Sequence, residues 1–448
     1  MTSTSPETNR LKRGLTIVDV VSIGVGSAVG VSVFAVMAPA AKVAGAGMLL
    51  AFGLAAIPII VFAVVYAFMG SAVPISGASF DWPTRFVHPF VGFMVAWLRI
   101  AGNVGGLTLL TLVLVNYASR VVVLSRIPAS IALLFVFYLV NLFGVRFAAI
   151  VERILVVFKL LAFTAFTIVG ITAIHAENFR PVLGTGPVGV LSSLPILFAL
   201  YMGLESATEV GEEIIDSTAV IARGLAVAVL LTIVVYLGVS GVALGALGAT
   251  ALGASDAPLF DAGTVFLGRW NTPLILFAAV ASIGTSINAI YITFTRFLFA
   301  MGRDGVFPAA FARIHPRWAT PHVAVTAVFA LAVAGLLLPT SLVFLFLSVT
   351  IPTVLKYISS SLSAWRLVDH FPDLHAGAQF RLSRTAVKRW SGAGMVLGTL
   401  LVAAGTGADQ RPYAVLTVWF AVGCLYWVVR GDRVSRSMRT RRMKDELR

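Results

Sequence analysis

The sequence predicts an all-α polytopic membrane protein of about twelve transmembrane helices, with both termini on one side. Three observations carry this. Hydrophobic residues make up 59% of the 448 residues and charged residues only 12%, whereas a soluble domain holds roughly 25% charged residues. The apolar residues gather in runs of a length that suits a bilayer-crossing helix, which takes about 20 residues, and they lack the strict alternation of barrel strands. Finally, 23 of the 33 Lys and Arg residues fall on the N-terminal side of this set of spans and 5 on the other. Such a bias assigns the N-terminal side to the cytoplasm, with the plasma membrane as the expected location. This composition excludes a soluble multi-domain protein.

Taken in order, residues 1–14 are a polar N-terminus ending in Lys12-Arg13. The apolar run behind it, 15–41, is too long for a signal-peptide core and has no small-residue cleavage site, so it reads as a mature first span. Runs at 45–72, 88–118, 127–145 and 148–174 complete a first group of five spans over 15–174. Runs at 188–208, 219–247, 271–300, 322–338 and 341–365 form a second group over 188–366. A loop at 367–389, basic at its end, is expected in the cytoplasm. Two more spans follow within 390–429. The tail, 430–448, holds Arg430, Arg433, Arg436, Arg439, Arg441, Arg442, Lys444 and Arg448. After an apolar span, its expected partner is the anionic inner leaflet of the bilayer rather than nucleic acid. Lys444 to Leu447 reads as an endoplasmic-reticulum retrieval signal, but Arg448 follows it, and such a signal must be C-terminal. Cys424 is the single cysteine of the sequence, so no intrachain disulfide can form.

Two spans are oddly built. The first carries Gly24, Gly26, Ser27, Gly30 and Ser32 at its centre. A continuous helix has no need of them; a broken helix, exposing backbone groups to a buried ligand, does. The sixth run repeats this with Tyr201-Met202-Gly203-Leu204-Glu205-Ser206. Interrupted segments at matching places in two halves point to a transporter binding site. Five spans per half would invert the second half relative to the first. The break near Gly30 then directs a half-helix N-terminus at the bilayer midplane, suited to a carboxylate, while the break in span six leaves free carbonyls suited to an ammonium. The competing reading is tight packing, because Gly26 and Gly30 form a GxxxG pair.

On these residues the sequence resembles the amino acid–polyamine–organocation permeases, which share the LeuT-type fold. The family pattern G-x-G-x-x-x-G-x-G-x-F is similar to Gly24, Gly26, Gly30, Ser32 and Phe34. Val73-Pro74-Ile75-Ser76-Gly77-Ala78, with Val91-Gly92-Phe93 and Trp97, resembles the segment after span two. Gly203-Leu204-Glu205 resembles the span-six motif, and Asn288, Arg296, Arg303-Asp304-Gly305, Pro308, His315-Pro316 and Thr320-Pro321 resemble span eight and its loop. The resemblance covers roughly residues 15–370 and implies a 5+5 inverted repeat plus two C-terminal helices. The chain departs from the family at Gly30-Val31-Ser32, where Gly-x-Gly is usual, and at Asp216-Ser217, where Asn-Pro is usual. The substrate contacts expected are Gly30, Val31, Ser32, Gly203 and Glu205 at the two breaks, with Tyr201 and Met202 as candidate pocket walls against the competing reading of packing.

Ionisable residues inside spans sharpen the expectation. Arg99, Lys159, Glu205 and Lys356 facing lipid would cost about 10–14 kcal/mol together, so they are expected to face the interior. The resemblance gives Lys159 a role: proton-coupled members carry V-x-K-L-L here, with the lysine where sodium-coupled relatives hold sodium. Its ammonium is expected on freed span-one carbonyls, with Ser282, Thr285 or Ser286 as other contacts. Glu205 is read as the sole mid-span acid and a second proton carrier. Three cations against one carboxylate then make the interior electropositive, which disfavours cationic substrates. Gly26, Asn103, Arg99 and Lys356 are secondary candidates. The resulting expectation is a secondary transporter that imports neutral or acidic amino acids with protons. No metal and no cofactor beyond the coupling proton are expected. The alternatives are an amino acid–product exchanger and a membrane amino-acid sensor without turnover. An enzyme is not expected, since the spans hold no histidine or cysteine cluster.

Overall fold

The computed structural model describes residues 13–30, 32–119, 122–255, 257–337, 342–405 and 410–446. Helices dominate, and each apolar run of the sequence contains one. The first run is split into α1 (Ile17–Ala28), α2 (Ser32–Ala35) and α3 (Met37–Ala44). Then come α4 (Met48–Ala72), α5 (Ala78–Phe86), α6 (Pro89–Ala118), α7 (Arg126–Leu142), α8 (Val145–Gly170) and α9 (Gly186–Phe198). The second half continues with α10 (Ser217–Ala254), α11 (Pro258–Phe266), α12 (Asn271–Arg303), α13 (His322–Gly335) and α14 (Leu342–His370). The chain closes with α15 (Pro372–Gly377), α16 (Arg384–Gly405) and α17 (Arg411–Glu446). Among the described residues six helices are long and apolar enough to cross a membrane.

The polarity of the bundle suits lipid. Large apolar side chains such as Leu161, Ile168, Leu230, Val418 and Leu425 lie on the outside, while Lys159, Glu152, Asn288 and Arg296 are buried. Charges in a bilayer are tolerated where they face the bundle interior and find partners. The centre is built from α1, α8, α10 and α12; α12 is buried along most of its length. The last helix, α17, lies at the periphery and is attached through aromatic residues. Trp97 of α6 stacks on Trp419 at 4.6 Å between ring centroids. Each indole N–H donates to the other residue's carbonyl, at 2.9 and 2.8 Å.

Two short backbone pairings join the halves. Leu15 pairs with Ile214 in a parallel bridge and Ser76 with Val210 in an antiparallel one. The second explains the segment after span two. Gly77 takes a left-handed conformation (φ 74°) and donates its N–H to the Glu209 carbonyl at 2.9 Å. A Cβ there would stand 2.6 Å from that of Ala300, so only glycine fits. The 367–389 segment folds back over the end of the bundle: Phe380 N–H donates to Ser71 Oγ at 2.9 Å, and the Phe371 ring meets Phe86 edge-on.

Candidate functional site

The first break is held open by side chains from three neighbouring helices. Helix α1 is capped at Thr16, whose N–H and Oγ1 both donate to Asp19 Oδ2 at 2.8 Å. Asp19 Oδ1 in turn accepts from Arg153 of α8 at 2.5 Å. The helix stops at Ala28, because Val29 turns to ψ 77°. Carbonyls left without helical N–H partners must be satisfied elsewhere when buried. Lys159 Nζ meets three carbonyls around the break, those of Val25 (2.9 Å), Gly26 (3.3 Å) and Val29 (2.7 Å), together with Thr285 Oγ1 (2.9 Å). From α12, Ser282 Oγ donates to the Val29 carbonyl at 2.7 Å and Ser286 Oγ to that of Gly26 at 3.0 Å. Both Lys159 and Ser282 therefore sit on span-one carbonyls, and Thr285 is the α12 side chain that Lys159 meets.

The second break follows α9. After Tyr201 the chain extends at Met202 (ψ 140°), Gly203 takes φ 100°, and a 3₁₀ segment runs over Leu204–Glu209. Gly203 is forced twice over. Its φ is left-handed, and a Cβ would stand 2.3 Å from Ser27 Oγ. The two breaks therefore cross closely, with Ser27 Oγ 3.0 Å from Ser206 Oγ. Tyr236 of α10 lies across both: its hydroxyl reaches the carbonyls of Ala28 (2.8 Å) and Leu200 (2.9 Å).

Between the breaks lies a cavity of about 110 Å³. A single water needs roughly 10–15 Å³ by this measure. Ser27 and Gly30 line it from the first break, and Met202, Gly203, Glu205 and Ser206 from the second. Helix α6 presents Arg99, Gly102, Asn103, Gly106, Leu109 and Leu110 to it, a set recurring at each turn and so on one face. Helix α12 adds Ser286, Ile290 and Thr293, and α14 adds Val349, Thr350 and Thr353. Of the sequence-predicted contacts, Gly30, Met202, Gly203, Glu205, Arg99 and Asn103 meet here. Tyr201 does not line the cavity; it is fully buried, donates to the Phe52 carbonyl at 3.1 Å and packs edge-on against Tyr236. Val31 lies outside the described residues. Ser32 opens α2. Gly26 belongs to the packing beside the break, where a Cβ would stand 1.7 Å from Glu152 Oε1.

The charge balance differs from the sequence expectation. Glu205 is not the sole buried acid: Glu152, Glu209 and Glu213 are each at most 1% exposed. Lys356 pairs with Glu205 Oε1, and Tyr357, the next residue on α14, donates to Glu205 Oε2 at 2.7 Å. The same Tyr357 hydroxyl accepts from the Gly203 N–H at 3.2 Å, so one helix grips both the glycine and the acid of the second break. Glu209 accepts from Ser79 Oγ. Glu213 holds Arg296 through two hydrogen bonds, at 2.8 and 2.9 Å. Glu152 Oε2 accepts from Asn288 at 2.7 Å, while its Oε1 has no hydrogen-bond partner. The interior as a whole is thus not electropositive. Sequence reasoning passed over Glu152 as a flanking residue of its span. It lies seven residues before Lys159, two turns along the same helix face, and that spacing was the available signal. Tyr236 and Tyr357 gave no signal, since aromatic residues in spans are ordinarily packing.

The family described as amino acid permease matches residues 15–430. An uncharacterized transporter of Mycobacterium tuberculosis is 29% identical over 329 residues, 73% of this chain and 74% of its own. A branched-chain amino acid permease of Bacillus subtilis is 27% identical over 340 residues, 70% of this chain and 72% of its own. A methylthioribose transporter of Bacillus subtilis is 24% identical over 449 residues, 95% of each chain. The chain belongs to the amino acid permease family and is a multi-pass membrane protein.

Proposed function

We propose that this amino acid permease imports amino acids by alternating access, driven by the proton gradient across the plasma membrane, with both termini in the cytoplasm. The observation that carries the reading is Lys159. Its ammonium bridges three carbonyls around the first break to α12, at the edge of the cavity the substrate would occupy. A buried lysine readily exchanges its proton when its surroundings change. Protonated, Lys159 holds α1 against α8 and α12. Deprotonated, it falls from three N–H donors to two and gains a lone pair, and the grip on the carbonyls loosens. Loss and gain of this proton would thereby bias the position of the broken helix. The substrate's amino and carboxylate groups are assigned to the two breaks: the carboxylate to the Gly30–Ser32 side, the ammonium to the carbonyls and hydroxyls around Met202 and Ser206.

The family description and the branched-chain relative favour amino acids. The methylthioribose relative makes a sugar thioether the control substrate. The test is uptake into proteoliposomes holding the purified full chain. Uphill amino acid uptake driven by an inward proton gradient alone supports symport, and Lys159→Ala is expected to abolish that accumulation while leaving substrate binding measurable. Uptake that requires internal amino acid would make the protein an exchanger, and binding without flux would make it a sensor. Proton-driven accumulation by Lys159→Ala would refute the role of the lysine.

A further inference from the structure

The cavity contains a cation that the coupling scheme does not use. Arg99 of α6 lines it and is 9% exposed. Its NH1 donates to the Thr353 hydroxyl at 2.6 Å, and its Nε has no partner. No described carboxylate forms an ion pair with it. One turn further along, Asn103 is 3% exposed, also lines the cavity, and has its Nδ2 without a partner. The other ionisable residue of the lining, Glu205, is already taken by Lys356 and Tyr357. The cavity lining therefore carries a guanidinium without an ion-pair partner and an additional unused donor, both on one face of α6; Glu209, the buried acid whose charge reaches Arg99, lies outside the lining and is bonded to Ser79.

A guanidinium cannot shed its proton in a protein, so burying it without a directly paired carboxylate is unfavourable relative to the state in which an anion binds it. Its planar fork matches a carboxylate, and an amide N–H beside it supplies a further donor for the same group. Gly102 sits between the two donors. A Cβ there would stand 3.3 Å from the Ser348 carbonyl and 3.4 Å from the Pro352 ring, so α14 packs close and carries Thr353 to Arg99. The donor that fixes the guanidinium and the donors left open thus belong to one built arrangement.

We propose that Arg99 and Asn103 bind a second carboxylate, and that the substrate is an acidic amino acid, aspartate or glutamate. This rests on the transport reading above, in which the breaks take the α-amino and α-carboxylate groups. The distal carboxylate then neutralises Arg99, and substrate plus cavity reach charge balance, Glu205 and Lys356 having cancelled each other. A branched-chain amino acid would leave the guanidinium buried and unpaired. Glutamine would supply an acceptor but no charge.

The experiment uses the full chain in proteoliposomes, with labelled glutamate and leucine as separate probes and unlabelled glutamate, aspartate, glutamine, leucine and lysine as competitors. Binding is read in parallel as ligand-induced thermal stabilisation in detergent. The wild-type protein is expected to prefer glutamate or aspartate over glutamine and leucine by roughly 100-fold, the scale on which loss of one partner of a buried charge pair is felt. Arg99→Gln is expected to lose most of that preference and to narrow the gap between glutamate and glutamine. Arg99→Lys is expected to keep part of it. Should neither variant fold, the wild-type panel decides by itself. Transport of leucine in preference to both acids refutes the assignment while leaving the amino acid reading standing. Undiminished acidic preference in Arg99→Gln refutes it as well. A wild-type protein that takes no amino acid refutes both.

Discussion

The ion pair at the second break offers the sharpest test of how the site is built. Glu205→Gln removes a carboxylate from a position 3% exposed and leaves the Lys356 ammonium, 2% exposed, without its counter-charge. What remains near the ammonium are the Glu209 carboxylate, bonded to Ser79, and the rings of Tyr66 and Tyr357, with centroids 5.6 and 5.1 Å away. A cation over an aromatic face recovers at most about 2 kcal/mol when desolvated, against a loss of about 3–5 kcal/mol when one partner of a buried pair is removed. With that recovery at its full value, the single variant is expected to lose about 1–3 kcal/mol net. Lys356→Met leaves the carboxylate with Tyr357 as donor and is expected to lose a similar amount. Removing both charges together deletes the penalty as well as the attraction, and such replacements in buried sites are often near neutral. The double variant Glu205→Gln/Lys356→Met is thus expected to lie at least about 2 kcal/mol above the sum of the singles, well beyond the roughly 0.5 kcal/mol scatter of independent sites. Unfolding of the purified protein by sodium dodecyl sulfate titration measures all three variants against wild type. Additive losses would refute the reasoning, since they would mean that each charge is satisfied by something other than its partner.

Three further outcomes follow from the packing. Gly26→Ala places a methyl 1.7 Å from Glu152 Oε1, in a side chain held by Asn288, and is expected to destabilise by about 1–3 kcal/mol, with partial recovery in Gly26→Ala/Glu152→Ala, both read from thermal melts. Trp419→Phe removes one of the two reciprocal indole hydrogen bonds to α6 and is expected to lose about 1 kcal/mol, while initial transport rates stay within about twofold because the cavity is not touched. Asp369→Asn breaks surface pairs with both Arg384 and Lys388 and is expected to leave the melting midpoint unchanged, because solvent-screened pairs contribute little. A marked drop would show that the segment after α14 is held by these pairs.

The fold was legible where composition and periodicity act alone. Apolar runs of bilayer length located the helices, and glycine with small polar residues marked both breaks, because no other residue type tolerates Gly203 at φ 100° against Ser27. Lys159 was legible for a similar reason: a cation in an apolar run must find partners, and a nearby break supplies carbonyls. What could not be read was which charge meets which. Glu205 and Lys356 are 151 positions apart, and Arg296 and Glu213 are 83 apart. Their pairing depends on how helices cross, which periodicity along one chain does not encode. The count of cations over acids therefore misjudged the interior, since Glu152, Glu209 and Glu213 lie near helix ends or in loops and read as flanking charge. Tyr201 was misplaced because a hydroxyl beside a break has two ways to be satisfied, and in this case the Phe52 carbonyl takes it.

The reciprocal tryptophan pair has a consequence for how the chain is made. Trp97 and Trp419 are 322 residues apart. At about 5–20 residues per second, a ribosome takes on the order of 16–65 seconds to reach the second after the first. Throughout that interval the indole N–H of Trp97 lacks its Trp419 carbonyl, and the ring face that stacks on Trp419 is uncovered, with Phe93 and later Phe307 beside the ring. Helix α6 must wait in the membrane with that face covered by lipid or by the insertion machinery. The final helix then works as a late closure of assembly: chains truncated before Trp419 are expected to be recognised as unfinished even though every residue around the cavity has been synthesised.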